Sequence, residues 1–468
     1  MFVADRSAFL RRTLRRLLCA RACHDPTQAG RGRHHIGNRC GRIAASDDRG
    51  TLPGPASHRR DCGPKSYRGT GAPQAIEQAG LFGPYAEGAL DIDVESPINV
   101  WEVPASSSRP THLNLCLDEP LDGEIEGIDF AAIPSNRPGN HTPSEAKALA
   151  RERLRVQNPD LVVVAGVHPD DAAVLAPALR SFGVPVFAEA TANLGAHREL
   201  TSLLIPPTDS TITGLRPRSI LRIGAVPSGR WWRDLEDQPG TRVLNLTQAG
   251  LPGIARAQNV TTAKLDTENV ARLLISESAS GQDATVSALE PPATQRRLSN
   301  EQAWLGEIAE IIPSEALVFL GNSLPIREWN AVVGSSRPFR TFANRGANGI
   351  DGLVSTFLGL AADEPESWLI LGDLSALYDL AAPWILGQLP EANRRIVILN
   401  NGGGRIFSKV ASLQKLPPET RAMLENDHGL SFAPWAALWG LPYQLAQDPG
   451  DLSDLPDGPR VIEIQTQA

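Results

Sequence analysis

No uninterrupted apolar run in this sequence approaches the roughly 18 residues that a membrane-spanning helix needs, so no transmembrane segment is expected. Basic residues are also in short supply: 45 Lys and Arg stand against 53 Asp and Glu, a net charge of −8. That balance argues against nucleic-acid binding, which normally leaves a basic footprint. Cysteine is scarce past residue 68, where Cys116 stands alone. The other four (Cys19, Cys23, Cys40 and Cys62) share the first 68 residues with His24, His34 and His35. Their spacing fits no standard zinc pattern of two Cys and two His. "NNGGGRIF" (400–407) lacks the G-x-G-x-x-G turn and the downstream acid of a dinucleotide site.

What is there reads as an ordinary soluble protein, cytoplasmic by default, with 41% hydrophobic and 21% charged residues. At 468 residues the chain should form two or three domains, since single cores rarely grow past about 250 residues. The charge is unevenly spread. Residues 1–68 hold 15 basic and five acidic side chains, about +10, which leaves 30 basic and 48 acidic ones, or −18, for the rest. "FLRRTLRRLLCARACHDPTQAGRGRHHIGNRCGR" is open to three readings: an Arg-rich organellar targeting peptide, a metal site, or a stretch without apolar pattern that does not fold.

Beyond residue 68 the text becomes regular. "GAPQAIEQAGLFGPY" reads as helix and "THLNLCL" (111–117) as a strand, and "AAIPSNRPGNHTPSEAK" reads as a linker. A second unit follows with strand-like "LVVVAG" (161–166), helical "PDDAAVLAPALRSFG", and strand-like "VPVFAE" and "ILRIGA" (220–225). After the linker "SESASGQDATVSALEPPATQRRLSN", a third unit repeats the scheme. There "ALVFLG" leads into "NSLPIREWNAVV", "FRTFAN" into "GIDGLVSTFLGLAA", and "SWLILG" into "DLSALYDLAAPWILG", with "RRIVILNN" and "RVIEIQ" as further strands. Strand and helix in alternation predict parallel sheets covered by helices, and continuous apolar runs predict strands buried on both faces.

In such open sheets ligands bind beyond the carboxyl ends of the strands. Asn322, Arg345, Asp373 and Asn401 all sit at such ends. One carboxylate and one side-chain amide on neighbouring strands make a hard-oxygen site suited to Mg²⁺, whose remaining positions are usually filled by phosphate oxygens and water. "GDLS" opens a helix whose free N–H groups favour a diphosphate. The plainer alternatives are a helix cap at Asp373 and a turn at Asn400–Asn401. For His428, in "NDHGLSF", a helix start or a packing role is expected rather than acid–base work.

"GDL" followed by "NN" resembles the G-D-G…N-N motif of thiamine-diphosphate enzymes, with Leu374 at the third motif position. Together with "GNSLPIR" (321–327), "NRGANGIDGLVST" (344–356), "GDLSALYDL" (372–380) and "NNGGGRIF" (400–407), it resembles one family in particular, the 2-succinyl-5-enolpyruvyl-6-hydroxy-3-cyclohexene-1-carboxylate synthases of menaquinone and phylloquinone biosynthesis. The likeness covers roughly 400 of the 468 residues. It implies three doubly wound α/β units of the thiamine-diphosphate enzyme fold, the first incomplete. These are an incomplete pyrimidine-binding domain at 1–120, a central Rossmann-like domain at 140–280 and a diphosphate-binding domain at 298–468.

The resemblance further implies that Asp373, Asn401 and the Gly403 carbonyl hold Mg²⁺ or Mn²⁺. Gly372, Leu374 and Ser375 would meet the diphosphate of thiamine diphosphate, and Ile350 would prop the cofactor in its bent shape. The family reaction joins decarboxylated 2-oxoglutarate, a succinyl-semialdehyde equivalent, to isochorismate. Both substrates are dianions, and Arg327 and Arg345 match the family's carboxylate-binding arginines. Gln74, Ser323, Ile406 and Phe407 match substrate-contacting positions, and Arg230 stands where a Lys is common. Homodimers or homotetramers are implied, with the pyrimidine domain of one subunit completing the site of another.

The match breaks near the start. In "VADRSA" (3–8), Asp5 takes the position of the family's glutamate, one methylene shorter, and Pro73 replaces a frequent Asn. The substrate loop that opens the family's first domain has no counterpart. Nothing matches between about residues 11 and 63, while family-like text flanks this stretch at near-correct spacing. Residues 11–63 are therefore expected to be disordered or read in a wrong frame. Two rival expectations remain: a remnant that at most binds the cofactor, and a related 2-oxo-acid decarboxylase or carboligase.

Overall fold

A computed structural model describes residues 57–61, 68–70, 80–83, 88–92, 111–116, 144–254, 259–278, 298–346, 348–410, 413–453 and 455–466. They fall into two compact units, Met1–His141 and Thr142–Ala468.

In the first unit, β1 (Ser57–Asp61) and β2 (Gly88–Ile92) flank β3 (Thr111–Cys116), all parallel. Asp91 accepts from both Arg68 terminal nitrogens at 2.7 and 2.8 Å and from Asn114 Nδ2 at 2.8 Å. β1 falls at the end of the stretch 11–63 expected to be disordered or misread, and these five residues form a strand; the rest of that stretch lies outside the described residues. Pairing with β3 satisfies its backbone N–H and C=O groups, so no apolar alternation is required to place it. The described end of the helix expected around "GAPQAIEQAGLFGPY" is a turn, closed by Gly83 N donating to Gly80 O at 2.9 Å. The strand expected at 111–117 is present as β3.

The second unit contains two six-stranded sheets. The first has the order β6-β5-β4-β7-β8-β9, formed by β4 (Leu161–Ala165), β5 (Val186–Ala188), β6 (Leu204–Ile205), β7 (Ser219–Gly224), β8 (Arg242–Thr247) and β9 (Val260–Lys264). The second has the order β11-β10-β12-β13-β15-β14, formed by β10 (Leu317–Leu320), β11 (Arg340–Phe342), β12 (Glu366–Gly372), β13 (Asn393–Asn400), β14 (Tyr443–Ala446) and β15 (Arg460–Gln465). Every pairing in both sheets is parallel.

The apolar runs fill both faces of these sheets. Val162, Val163 and Val164 of β4 and Ile396, Val397 and Ile398 of β13 are fully buried. Each such side chain contributes about 1.5–3 kcal/mol on leaving water. Helices cover the sheets: α1 (Ser144–Gln157), α2 (Pro169–Phe182), α3 (Asp209–Leu215), α4 (Arg230–Asp234) and α5 (Thr267–Ser276) in the first half, then α6 (Asn300–Ile311), α7 (Leu324–Val332), α8 (Leu353–Leu360), α9 (Asp373–Leu377), α10 (Pro418–Glu425) and α11 (Ala433–Leu438). Because α1 begins at Ser144, the "SEAK" read as linker is helix. The single helix expected over "DLSALYDLAAPWILG" is instead the five-residue α9 followed by a 3₁₀ segment at Ala382–Gln388. Asp379 interrupts it, because its carboxylate turns away to accept from Ser355 N at 2.7 Å and Ser355 Oγ at 3.0 Å.

Strand order decides where a ligand can enter. From β10 the chain moves outward to β11, then returns to the other side of β10 as β12. That reversal leaves a crevice beyond the carboxyl ends of β10 and β12, the usual binding position in such sheets. β4 and β7 make the equivalent reversal in the other sheet. Asn193, in the loop after β5, joins the two sheets: its Nδ2 donates to Thr341 O at 3.1 Å and its Oδ1 accepts from Thr341 N at 2.7 Å.

Candidate functional site

Asp373 follows β12 directly and is 2% exposed. Its Oδ2 accepts three successive backbone N–H groups, from Asn401 at 3.1 Å, Gly402 at 2.8 Å and Gly403 at 3.0 Å. Among the described residues its Oδ1 accepts only Leu374 N, at 2.6 Å. Burial pushes the carboxyl above the ordinary carboxylate range, against the pull of these N–H groups and of His428. Asp373 is thus more than a helix cap: it gathers the turn after the neighbouring strand.

The Asn pair divides its work at the strand end, where Asn400 is the last residue of β13 and Asn401 the first of the turn that follows. Asn400 serves the interior. Its Nδ2 donates to the buried Glu463 at 2.6 Å and to Leu430 O at 2.9 Å. Asn401 serves the site. Its Nδ2 donates to Glu301 Oε1 at 2.6 Å, while its Oδ1 is buried without a hydrogen-bond partner. Burial raises the Glu301 carboxyl, opposed first by the bond from Asn401.

The turn that follows is tightly held. Arg405 donates from Nε to Asn401 O at 3.0 Å, and its Nη1 reaches Glu425 and Asp427, both at 2.7 Å. Gly403 has φ 144°, and a Cβ there would stand 2.6 Å from Glu425 O. Only glycine fits without displacing backbone. A cavity of about 350 Å³ opens beside this turn, lined by Asn400, Asn401, Gly402, Arg405, His428, Gly429, Leu430 and Gln465. Of the two roles expected for His428, helix start and packing, the first does not hold: it lies in the loop after α10, with Nε2 3.4 Å from Asp373 Oδ2.

A second cluster lies at the carboxyl ends of β10 and β11. Asn322 is buried, and its Nδ2 pins the loop after β11 by donating to Asn344 O at 2.7 Å and Gly349 O at 2.8 Å. That loop carries Ile350, which is half-buried. Arg345, 4% exposed, donates from Nη1 to Asn322 Oδ1 at 2.9 Å and from Nη2 to Pro227 O at 3.4 Å, while its Nε is buried without a partner. Arg327 donates to Ser323 O at 2.5 Å. Burial lowers both guanidinium groups from their usual range, opposed in each case by the charge of Glu189. Ser323 itself adopts φ 75°, a strained backbone for a residue with a side chain.

The carboxyl ends therefore gather Asp373, Leu374, Ser375, Asn401 and Gly403 in one group, and Ser323, Arg327 and Arg345 in another. Ile406 and Phe407 follow the Gly turn, half-buried and exposed respectively. Arg230 is the exception. It is exposed and pairs with Asp234 at 3.5 Å along α4, a surface ion pair of the kind that contributes little. Asp5, Gln74, Pro73 and the Cys and His residues at 19–40 lie outside the described residues.

Several residues of the site escape sequence reasoning: Glu189, Ser228, Glu301, Arg405 and Glu463. A faint signal existed for one of them. "SNEQ" has the Ser-x-x-Gln spacing of a capping box, which the structure forms between Ser299 and Gln302. That signal predicts a helix start, but nothing in it points to Asn401.

No family model matches the chain. It is 33% identical over 408 residues to the 2-succinyl-5-enolpyruvyl-6-hydroxy-3-cyclohexene-1-carboxylate synthase of Akkermansia muciniphila, covering 84% of this chain and 74% of that protein. It is 34% identical over 393 residues to the protein of the same name from Bdellovibrio bacteriovorus, covering 81% and 72%. Among solved structures, one described as a "putative thiamin diphosphate-dependent enzyme" from Mycobacterium smegmatis shares the fold, with a TM-score of 0.58 at 18% identity over 90% of this chain and 84% of that one.

Proposed function

The chain belongs to the 2-succinyl-5-enolpyruvyl-6-hydroxy-3-cyclohexene-1-carboxylate synthase family, and on that premise we propose that its carboxyl-end cleft binds thiamine diphosphate through a divalent metal and joins decarboxylated 2-oxoglutarate to isochorismate. The observation that carries the metal assignment is the buried, partnerless Oδ1 of Asn401 beside the Asp373 carboxylate. A buried acceptor left unpaired costs about 1–3 kcal/mol, and a cation removes that cost.

The donor chemistry fits Mg²⁺ or Mn²⁺. Asp373 Oδ1 carries a single N–H, and the Gly403 carbonyl, which takes Arg405 N at 2.9 Å, has a second lone pair. Carboxylate, amide and carbonyl oxygens are the ligands a hard cation prefers. Among the described residues no cluster of three His, Cys, Asp or Glu offers an alternative metal site.

Thiamine diphosphate, when bound, supplies the electron sink that loss of CO₂ from a 2-oxo acid requires. The protein's own contribution is position and charge. Gly372, Leu374 and Ser375 would border the diphosphate, with the Leu374 N–H already committed to Asp373. Ile350 would buttress the cofactor from the loop that Asn322 pins. Arg327 and Arg345 would hold substrate carboxylates, and Arg345 keeps an unused Nε for that purpose. Ser323, Ile406 and Phe407 complete the substrate contacts in this reading, with Asp5 and Gln74 carried by family resemblance alone. Arg230 would have to leave Asp234 to take part.

A cytoplasmic homodimer or homotetramer belongs to the same reading. Support comes from the exposed Tyr378, Leu380 and Trp384 beside α9, apolar surface of the kind that interfaces cover. The decisive experiment titrates the full chain with thiamine diphosphate and Mg²⁺ by calorimetry, then assays 2-oxoglutarate with isochorismate in the same sample. Binding with turnover is the expected result. Binding without turnover identifies a remnant whose Asp5 cannot replace the family glutamate, and no binding overturns the cofactor site.

A further inference from the structure

We propose that Glu301 is a positioning residue for the metal site, fixing which end of the Asn401 amide faces the cation. The inference rests on reading Asn401 as a metal ligand. An asparagine amide presents a donor at one end and an acceptor at the other, and the two ends have nearly the same shape. Left to itself, Asn401 could offer NH₂ to the cation and repel it. An ionised carboxylate accepts only. With Glu301 Oε1 at 2.6 Å from Nδ2, the NH₂ end is held and Oδ1 is left over, buried and without a partner.

Glu301 is itself well anchored. It is the second residue of α6, whose start is locked by the reciprocal Ser299–Gln302 capping box at 3.2 Å in each direction. Thr466 Oγ1 lies 3.4 Å from the same Oε1, and Thr466 N donates to Asn400 O at 3.0 Å, so the ends of β13 and β15 are tied to the same place. The neighbouring Gln302 donates to Glu328 at 2.6 Å, and Glu328 pairs with Lys409 beyond the Gly turn. The first turn of α6 thus grips the 401–409 segment at two points. Asn401 is held on its other side by its backbone N–H to Asp373. Groups that orient metal ligands in this way typically alter metal affinity by about 10–100-fold when changed.

The test measures Mn²⁺ binding to the full chain in the presence of thiamine diphosphate, reading free Mn²⁺ by electron paramagnetic resonance, so no turnover is needed. Glu301→Gln should weaken Mn²⁺ by about 10–100-fold, because the new amide can donate to Oδ1 and occupy it. The double variant Glu301→Gln with Asn401→Asp reverses the hydrogen bond and leaves a carboxylate oxygen for the metal. It should bind Mn²⁺ more tightly than Glu301→Gln or Asn401→Asp alone, a rescue that loss of packing cannot produce. Wild-type affinity in Glu301→Gln, or a double variant no better than both singles, overturns the proposal while leaving the metal site intact. A wild-type chain that binds no Mn²⁺ overturns the metal assignment and this proposal together. Thermal unfolding without metal identifies any variant that has simply lost its fold, in which case the double variant against Asn401→Asp decides.

Discussion

Glu189 Oε1 accepts both the backbone N–H and the hydroxyl of Ser228, at 2.6 and 2.8 Å. The same hydroxyl accepts from Asn330 Nδ2 at 3.0 Å, and Asn330 Oδ1 accepts from Ala190 N at 2.8 Å, next to Glu189. Four hydrogen bonds therefore close a ring between the loops after β5 and β7 and the helix that carries Arg327. Burial pushes the Glu189 carboxyl up, and Arg345 opposes the shift most. The folded chain holds this proton more tightly than the unfolded chain does. Its contribution to stability is thus full below the ordinary Glu value of about 4.3 and is lost as pH rises through the raised folded value. Glu189→Gln keeps an acceptor for Ser228 and removes the titration. Urea unfolding of the two proteins across that window should show a steeper decline with pH in wild type than in the variant, where the raised Asp373 and Glu301 carboxyls still contribute.

Asn193→Ala removes the acceptor of Thr341 N and the donors to Thr341 O and Val167 O, all buried. It also places alanine at φ 56°. A loss of about 3 kcal/mol is expected from the unsatisfied groups and the strain. Equilibrium denaturation measures it, and a loss below about 1 kcal/mol, the least expected for one orphaned buried group, would contradict the bridging role.

Gly403→Ala must displace the Glu425 carbonyl that closes the turn from behind. The strain should lower stability by about 1–3 kcal/mol and abolish Mn²⁺ binding, because the three N–H groups on Asp373 can no longer converge. Crystals or calorimetry of the variant with metal check this directly, and unaltered binding counts against the turn as part of the site.

Arg345→Lys keeps the charge but not the planar fork that spans Asn322 and Pro227. If the chain turns over, KM for 2-oxoglutarate should rise by roughly 10–100-fold, matching about 1.5–3 kcal/mol for a charged hydrogen bond. A 2-oxo acid with one carboxylate fewer should lose less. Equal losses for both substrates would assign Arg345 to folding rather than to recognition.

Much of this was legible beforehand. The runs "LVVVAG", "SWLILG" and "RRIVILNN" became fully buried parallel strands because their continuous apolarity suits a strand covered on both faces. Asp373 and Asn401 were identifiable because a motif of the right kind stood at the ends of two such strands. Other readings failed for local reasons. Ser57–Asp61 has no apolar alternation, yet pairs along β3 through its backbone. His428 does not start a helix, but lies against Asp373 in the loop after α10.

By itself, then, the sequence determined the strand-helix alternation, the family and the residue types at the strand ends, since each is written in a local period or a short contiguous motif. Only the tertiary structure decided that Asn400 is spent on Glu463, which acid holds the Asn401 amide, and which buried carboxylate faces the two arginines. Asn401 meets Glu301 across 100 positions and Asn330 meets Ser228 across 102. Contacts at such separations leave no periodic trace in the sequence, because they arise from the order in which parallel strands are laid into the sheet.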